Sequence, residues 1–206
     1  MFIELNWDHW EDFYWSKSSK MTKKQKEDAR CHLAAIRERI LLIQELKDFL
    51  KVKEEHFIQF EELKFKMKSS LLGQYYILEL KHPKGKDPID AILYKLDPRD
   101  KKSIQKAHII EVKVRERDFG DEGYIIFKDK FQGIHDWKEN MESNCEFPLI
   151  PWIILVTPER SLWFKAKEEI LDREWERHLT KKKTMGRENI VEWNWTRMIY
   201  KNESIS

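Results

Sequence analysis

Three side chains near the middle of the chain, Asp90, Glu111 and Lys113, have the types and spacing needed to hold a hard cation and deliver water to a phosphorus centre. Two carboxylates brought close together repel one another unless a cation lies between them, and magnesium favours such oxygen ligands. A cation held there can polarise a phosphoryl oxygen and activate a bound water at neutral pH. An ammonium beside the pair orients that water and offsets charge gathering in the transition state. Glu-X-Lys on a strand also occurs as an ordinary cross-strand charge pair on a solvated face, so the elements around it must supply the rest of the argument.

Ile89 to Leu96 is aliphatic and aromatic and is bounded by Pro88 and by Asp97-Pro98, which marks a strand between turns. Ile109 to Arg115 alternates, so that Ile109, Glu111, Lys113 and Arg115 share one face and Ile110, Val112 and Val114 the other. An antiparallel hairpin closed by the polar loop Asp97 to Lys106 sets Asp90 beside Glu111. A helix is expected over Tyr124 to Asn140, where Tyr124, Phe127, Phe131 and Ile134 recur at spacings of three and four, with Lys128 and Lys130 flanking that face.

These residues resemble the PD-(D/E)XK, or restriction-endonuclease-like, nuclease superfamily. Asp90 matches its first acid and Glu111-Val112-Lys113 its E-X-K element. The order of elements is similar too, from helices through the acid-bearing strand and the E-X-K strand to a lysine-bearing helix and a later strand, over about Glu54 to Lys167. The Pro-Asp pair is stretched to Asp87-Pro88-Ile89-Asp90. Asp90 is preferred because it lies in the strand, whereas Asp87 precedes a proline and suits a turn. The resemblance implies an α/β fold with a mixed central sheet flanked by helices and an N-terminal helical extension. It further implies a magnesium-dependent DNA phosphodiesterase, with manganese as the alternative ion. Asp90, Glu111 and the Val112 carbonyl would hold the metal, Lys113 would orient the water, and Lys130 would be a fourth catalytic member. Glu62 is a further acid in reach of the pattern, with solvent-facing charge as the plainer account. The rival reading keeps the fold without the cut, as a DNA-binding or structural subunit of a larger nucleoprotein or viral assembly.

Thr22-Lys23-Lys24-Gln25 has capping-box spacing, and Leu33, Ile36, Ile40, Ile43 and Leu50 predict one face of a helix reaching about Phe49. Phe57, Phe60, Leu63 and Met67 predict a second helix over Glu54 to Ser69, with Gly73 as terminator. Strands are expected at Tyr75 to Leu80, at Pro148 to Val156 with both faces buried, and at Leu162 to Ala166 after a turn at Thr157 to Ser161. Lys167 to Leu179 reads as helical, Lys181 to Gly186 as a polar loop, and Ile190 to Tyr200 as a final edge strand whose Val191, Trp193, Trp195 and Ile199 alternate with polar residues. The division expected is an aromatic arm with a long helix over 1–52, and a nuclease-like core with a C-terminal strand extension over 53–206.

With 206 residues, 41% hydrophobic and 37% charged, the chain can bury a core and carry a heavily charged surface. The net charge of +2 does not mark a nucleic-acid binder by itself, so lysine placement matters more. Five lysines fall between Lys17 and Lys26, and Lys181-Lys182-Lys183 forms another run. Lys101 and Lys102 lie in the loop expected beside the site, and Arg115, Arg117 and Lys128 are further candidates for phosphate contacts. Cys31 and Cys145 lack metal-ligand spacing and are expected as free thiols. No apolar run has the length of a membrane span and the N-terminus lacks signal-peptide character, so a cytoplasmic protein is expected. The rings of Phe2, Trp7, Trp10, Phe13, Tyr14 and Trp15 either fold back onto the domain or dock on a second copy or another protein.

Overall fold

The structure is a computed structural model that describes residues 21–82, 87–114, 124–157, 161–167, 176–184 and 187–198. Its long helix, α1 (Lys23–Phe49), starts at the expected capping box. The Thr22 N–H donates to Gln25 Oε1 at 2.8 Å, and Gln25 N–H donates back to Thr22 Oγ1 at 3.3 Å, which satisfies two amides that a helix start leaves open. Leu33, Ile36, Leu42, Ile43, Leu46 and Leu50 are buried along one side, and Arg39 takes the place in that stripe expected of Ile40. The helix is capped by Leu50, and Lys51, with a φ of 51°, turns the chain into the sheet.

Seven strands form a mostly antiparallel open sheet: β1 (Val52–Glu61), β2 (Lys64–Ser69), β3 (Tyr75–Leu80), β4 (Ala91–Leu96), β5 (Ile104–Val114), β7 (Leu149–Val156) and β8 (Ser161–Lys165), in the spatial order β1-β2-β3-β4-β5-β7-β8. The pairing of β5 with β7 is parallel and the others are antiparallel. A parallel pair needs a crossover, here supplied by β6 (Tyr124–Phe127) and α2 (Lys128–Glu142). A second sheet holds three strands in the order β6-β10-β9, with β9 at Glu176–Thr184 and β10 at Arg187–Met198. The chain is therefore a mixed α/β protein.

The central strands of the large sheet are covered on both faces. Leu42, Leu46 and Leu50 of α1 share a core with Leu78, Ile110, Val112, Trp152 and Ile154, whereas Phe131 and Ile134 of α2 share another with Ile89, Ile92, Ile109 and Ile153. Successive residues of β5 and β7 thus enter opposite cores, which is why β7 is apolar on both faces, as its sequence suggests. Gly133 lets α2 approach the strand entry closely, since a Cβ there would stand 3.3 Å from the Pro88 Cβ.

Four expectations are corrected. Residues 54–69 form the β1–β2 hairpin rather than a helix, with Phe57 opposite Met67 and its ring stacked on Phe65 at 5.0 Å. The three-and-four spacing there coexists with a period-two run, Phe65-Met67-Ser69, whose alternate residues are buried. The second helix begins at Lys128, because Tyr124-Ile125-Ile126-Phe127 pairs with β10 as a strand. Lys181 to Thr184 belongs to β9, as does Glu176 to Leu179 of the expected helix, while 168–175 lies outside the described residues. The last strand, β10, is central in its sheet, not an edge. Its polar neighbour β9 takes the edge, where lysines are tolerated and an alternating apolar signal is not needed.

Candidate active site

The Asp90 backbone is locked into the ladder at the entry to β4. Its N–H donates to the Ile110 carbonyl and its carbonyl accepts from Lys81 N–H, both at 2.8 Å. The pairing of β4 with β5 reaches Ala91 opposite Ile110, and Asp90, just before it, sets its carboxylate against the Val112 N–H and beside the Glu111 carboxyl. Asp87 is exposed on the approach, whereas Asp90 and Glu111 are buried, at 7% and 5% exposure. The hairpin thus brings both acids to one place, as its sequence predicts.

Each carboxylate has a cation, and Asp90 has a backbone hydrogen bond as well. Asp90 Oδ1 is 3.0 Å from Arg39 Nη1, and Asp90 Oδ2 accepts the Val112 N–H at 2.8 Å. Arg39 is itself held, donating from Nε to the Lys81 carbonyl at 2.6 Å and from Nη1 to the Ala35 carbonyl at 2.8 Å. The Lys113 ammonium bonds Glu111 Oε1 and also donates to the Val112 carbonyl at 3.1 Å. The result is a quartet of two acids and two bases, each acid against its own base.

Burial and the adjacent Asp90 carboxylate push Glu111 well above the usual carboxylate range, to about 8, although Lys113 pulls the other way. Burial disfavours the Lys113 ammonium, but Glu111, with Glu38 and Asp90, outweighs it and holds the ammonium above its ordinary range. An acid whose charge is resisted by a neighbouring acid has a reason to accept a cation. The donors that converge are Asp90, Glu111 and the Val112 carbonyl; among the described residues no group of three or more His, Cys, Asp or Glu side chains gathers at metal-binding spacing. Two carboxylates and a carbonyl suit magnesium, which keeps several waters, better than zinc, which prefers nitrogen and sulfur.

The other sequence candidates lie elsewhere. Lys101 and Lys102 are exposed in the β4–β5 turn, at the opposite end of the hairpin from Asp90. The length of β4 separates them from the acids by about 20 Å at ~3.3 Å per residue, and Lys101 lies over the Tyr75 ring at 4.3 Å. Their expected place beside the site is corrected accordingly, because Asp90 stands at the start of its strand and the loop follows its end. Lys130 is exposed in the first turn of α2, and Lys128 is half-buried beside it. Glu62 is exposed in the β1–β2 turn. Arg115 and Arg117, like the aromatic segment up to Trp15, lie outside the described residues.

Arg39 is the site residue that the sequence reading missed. Its signal was present, for it stands three residues after Ile36 and four before Ile43, on the apolar stripe where a charge needs a buried partner. His108 and His135 are also buried, at 1% and 2% exposure. His108 Nδ1 accepts from Trp152 Nε1 at 2.9 Å, and burial together with Lys106, Lys95 and Lys165 lowers its pKa to about 3.

No family model matches the chain, and no curated protein and no solved structure matches it either.

Proposed function

We propose that the chain is a metal-dependent nuclease that hydrolyses DNA phosphodiester bonds, built on a restriction-endonuclease-like core of the PD-(D/E)XK kind. The observation that carries this reading is the pair of buried acids, Asp90 and Glu111, set against each other on one hairpin with Lys113 bonded to the second. Within the succession α1, β1, β2, β3, β4, β5, β6, α2 and β7, the acid-bearing strand, the Glu-X-Lys strand, a lysine-bearing helix and a later strand parallel to β5 follow in the superfamily's order, which supports it.

A magnesium or manganese ion held by Asp90, Glu111 and the Val112 carbonyl would supply polarisation of the phosphoryl oxygen and a more acidic water. The chain's own groups do the positioning. Arg39 and the Val112 N–H fix both Asp90 oxygens, each of which keeps a further lone pair to offer. Lys113 orients the attacking water and offsets charge at the phosphorus centre. Lys128 on α2, with Arg115 and Arg117, is assigned to the DNA backbone, and Lys130 is the fourth catalytic member.

Cleavage of linear, circular, single-stranded and branched DNA with and without magnesium tests the assignment. Cutting should require the ion and fall by about 10²-fold or more in both Glu111→Ala and Lys113→Ala. Variants that cut as well as wild type would remove these residues from the chemistry. A second reading, a nuclease-like structural or DNA-binding subunit that makes no cut, is favoured by the partners the acids already have, Arg39 on Asp90 and Lys113 on Glu111. DNA binding with no cleavage of any substrate in the panel would favour it.

A further inference from the structure

The Lys113 ammonium is bonded by Glu111 Oε1 and by the Val112 carbonyl oxygen. Those are two of the three donors assigned above to a divalent ion. We propose that Lys113 acts as the site's resting cation, competing with the divalent ion for Glu111 and the Val112 carbonyl and becoming available to the water only when displaced. The inference rests on the nuclease reading.

Three features of the arrangement support it. The Lys113 side chain is 28% exposed and the Glu111 side chain 7%, so the lysine is the less enclosed of the two. A lysine is a compact charge on a flexible four-carbon stem, able to leave one position and take another nearby. Arg39, by contrast, is pinned by the Lys81 and Ala35 carbonyls and has a planar fork fitted to its partners, so it stays on Asp90. Of the two bases in the quartet, one is fixed and one is exchangeable. An ammonium and a divalent ion cannot share one carboxylate oxygen and one carbonyl at contact distance without strong repulsion, so one must yield the position to the other.

The consequence runs against the usual effect of removing a site residue. Lys113→Gln and Lys113→Met should bind manganese more tightly than wild type, by about tenfold or more, because a charge-assisted bond no longer has to be broken first. Lys113→Arg, which keeps a cation, should bind no more tightly than wild type. Glu111→Gln should bind much more weakly. The readout is manganese titration of the full chain followed by electron paramagnetic resonance, without DNA, and melting curves establish which variants fold. Wild-type binding that Glu111→Gln abolishes, with equal or weaker binding in folded Lys113→Gln and Lys113→Met, would overturn the competition and leave the nuclease reading standing. An ion that neither wild type nor the Lys113 variants bind, or that binds regardless of Glu111, would overturn both.

Discussion

At the scale of residues, the organising fact is that Glu111 is an acid that resists ionisation in the fold. Its folded pKa, near 8, exceeds the ordinary 4.5, so between these values the folded chain holds a proton that the unfolded chain has lost. Stability from this group is complete below about 4.5 and declines as pH rises toward 8. His108 acts in the opposite direction but only below 6.5, where the unfolded chain gains a proton that the folded chain refuses. Between pH 6.5 and 8 the Glu111 contribution is still falling while that of His108 has ended. Wild type should weaken with rising pH by at most about 1.4 kcal/mol per pH unit for one proton, and Glu111→Gln should flatten the profile. Parallel profiles for the two proteins would show that Glu111 titrates normally. The acid pair was legible because strand alternation fixes which residues face each other. Arg39 was not, because it comes from an element distant in sequence and no local pattern says which acid a buried arginine meets.

At the scale of elements, the sequence was most legible where local chemistry and tertiary packing agree. The Thr22 and Gln25 capping pair and the β4–β5 hairpin are such places. The β1–β2 hairpin shows the opposite case, since Phe57, Phe60, Leu63 and Met67 fit a helical face while the pairing of Phe57 with Met67 answers to the neighbouring sheet. Its turn passes through Leu63 with a φ of 59°, a conformation that leucine signals poorly. The junction of α1 with β1 has the same feature at Lys51, which is exposed with a φ of 51°. Glycine suits that left-handed position after a helix. Lys51→Gly should raise stability by about 1 kcal/mol by relieving the Cβ crowding, read as a higher thermal midpoint. A lower midpoint would show that the Lys51 side chain contributes more than the strain it incurs.

At the scale of the whole molecule, α1 and α2 cover opposite faces of one sheet, and the acid pair lies where β4 begins and β5 nears its end. No helix among the described residues is long and apolar enough to cross a membrane. The order of the sheet also carries a consequence for time. Strands β1 to β5 each pair with their neighbour in sequence, whereas β7 reaches β5 only after the crossover, as in the contact of His108 with Trp152, 44 residues apart. Closing the longer connection costs more chain entropy before any contact rewards it, so the hairpins should form first and β7 should dock late. Leu93→Ala and Ile154→Ala, both at fully buried positions, should each cost about 2–5 kcal/mol. Stopped-flow measurements should find the loss at Leu93 mainly in slower folding and that at Ile154 mainly in faster unfolding; the reverse partition would place β7 in the nucleus. If the order holds, Asp90 and Glu111 first meet while water still screens them, and their mutual repulsion grows only as β7 and α2 close over the hairpin.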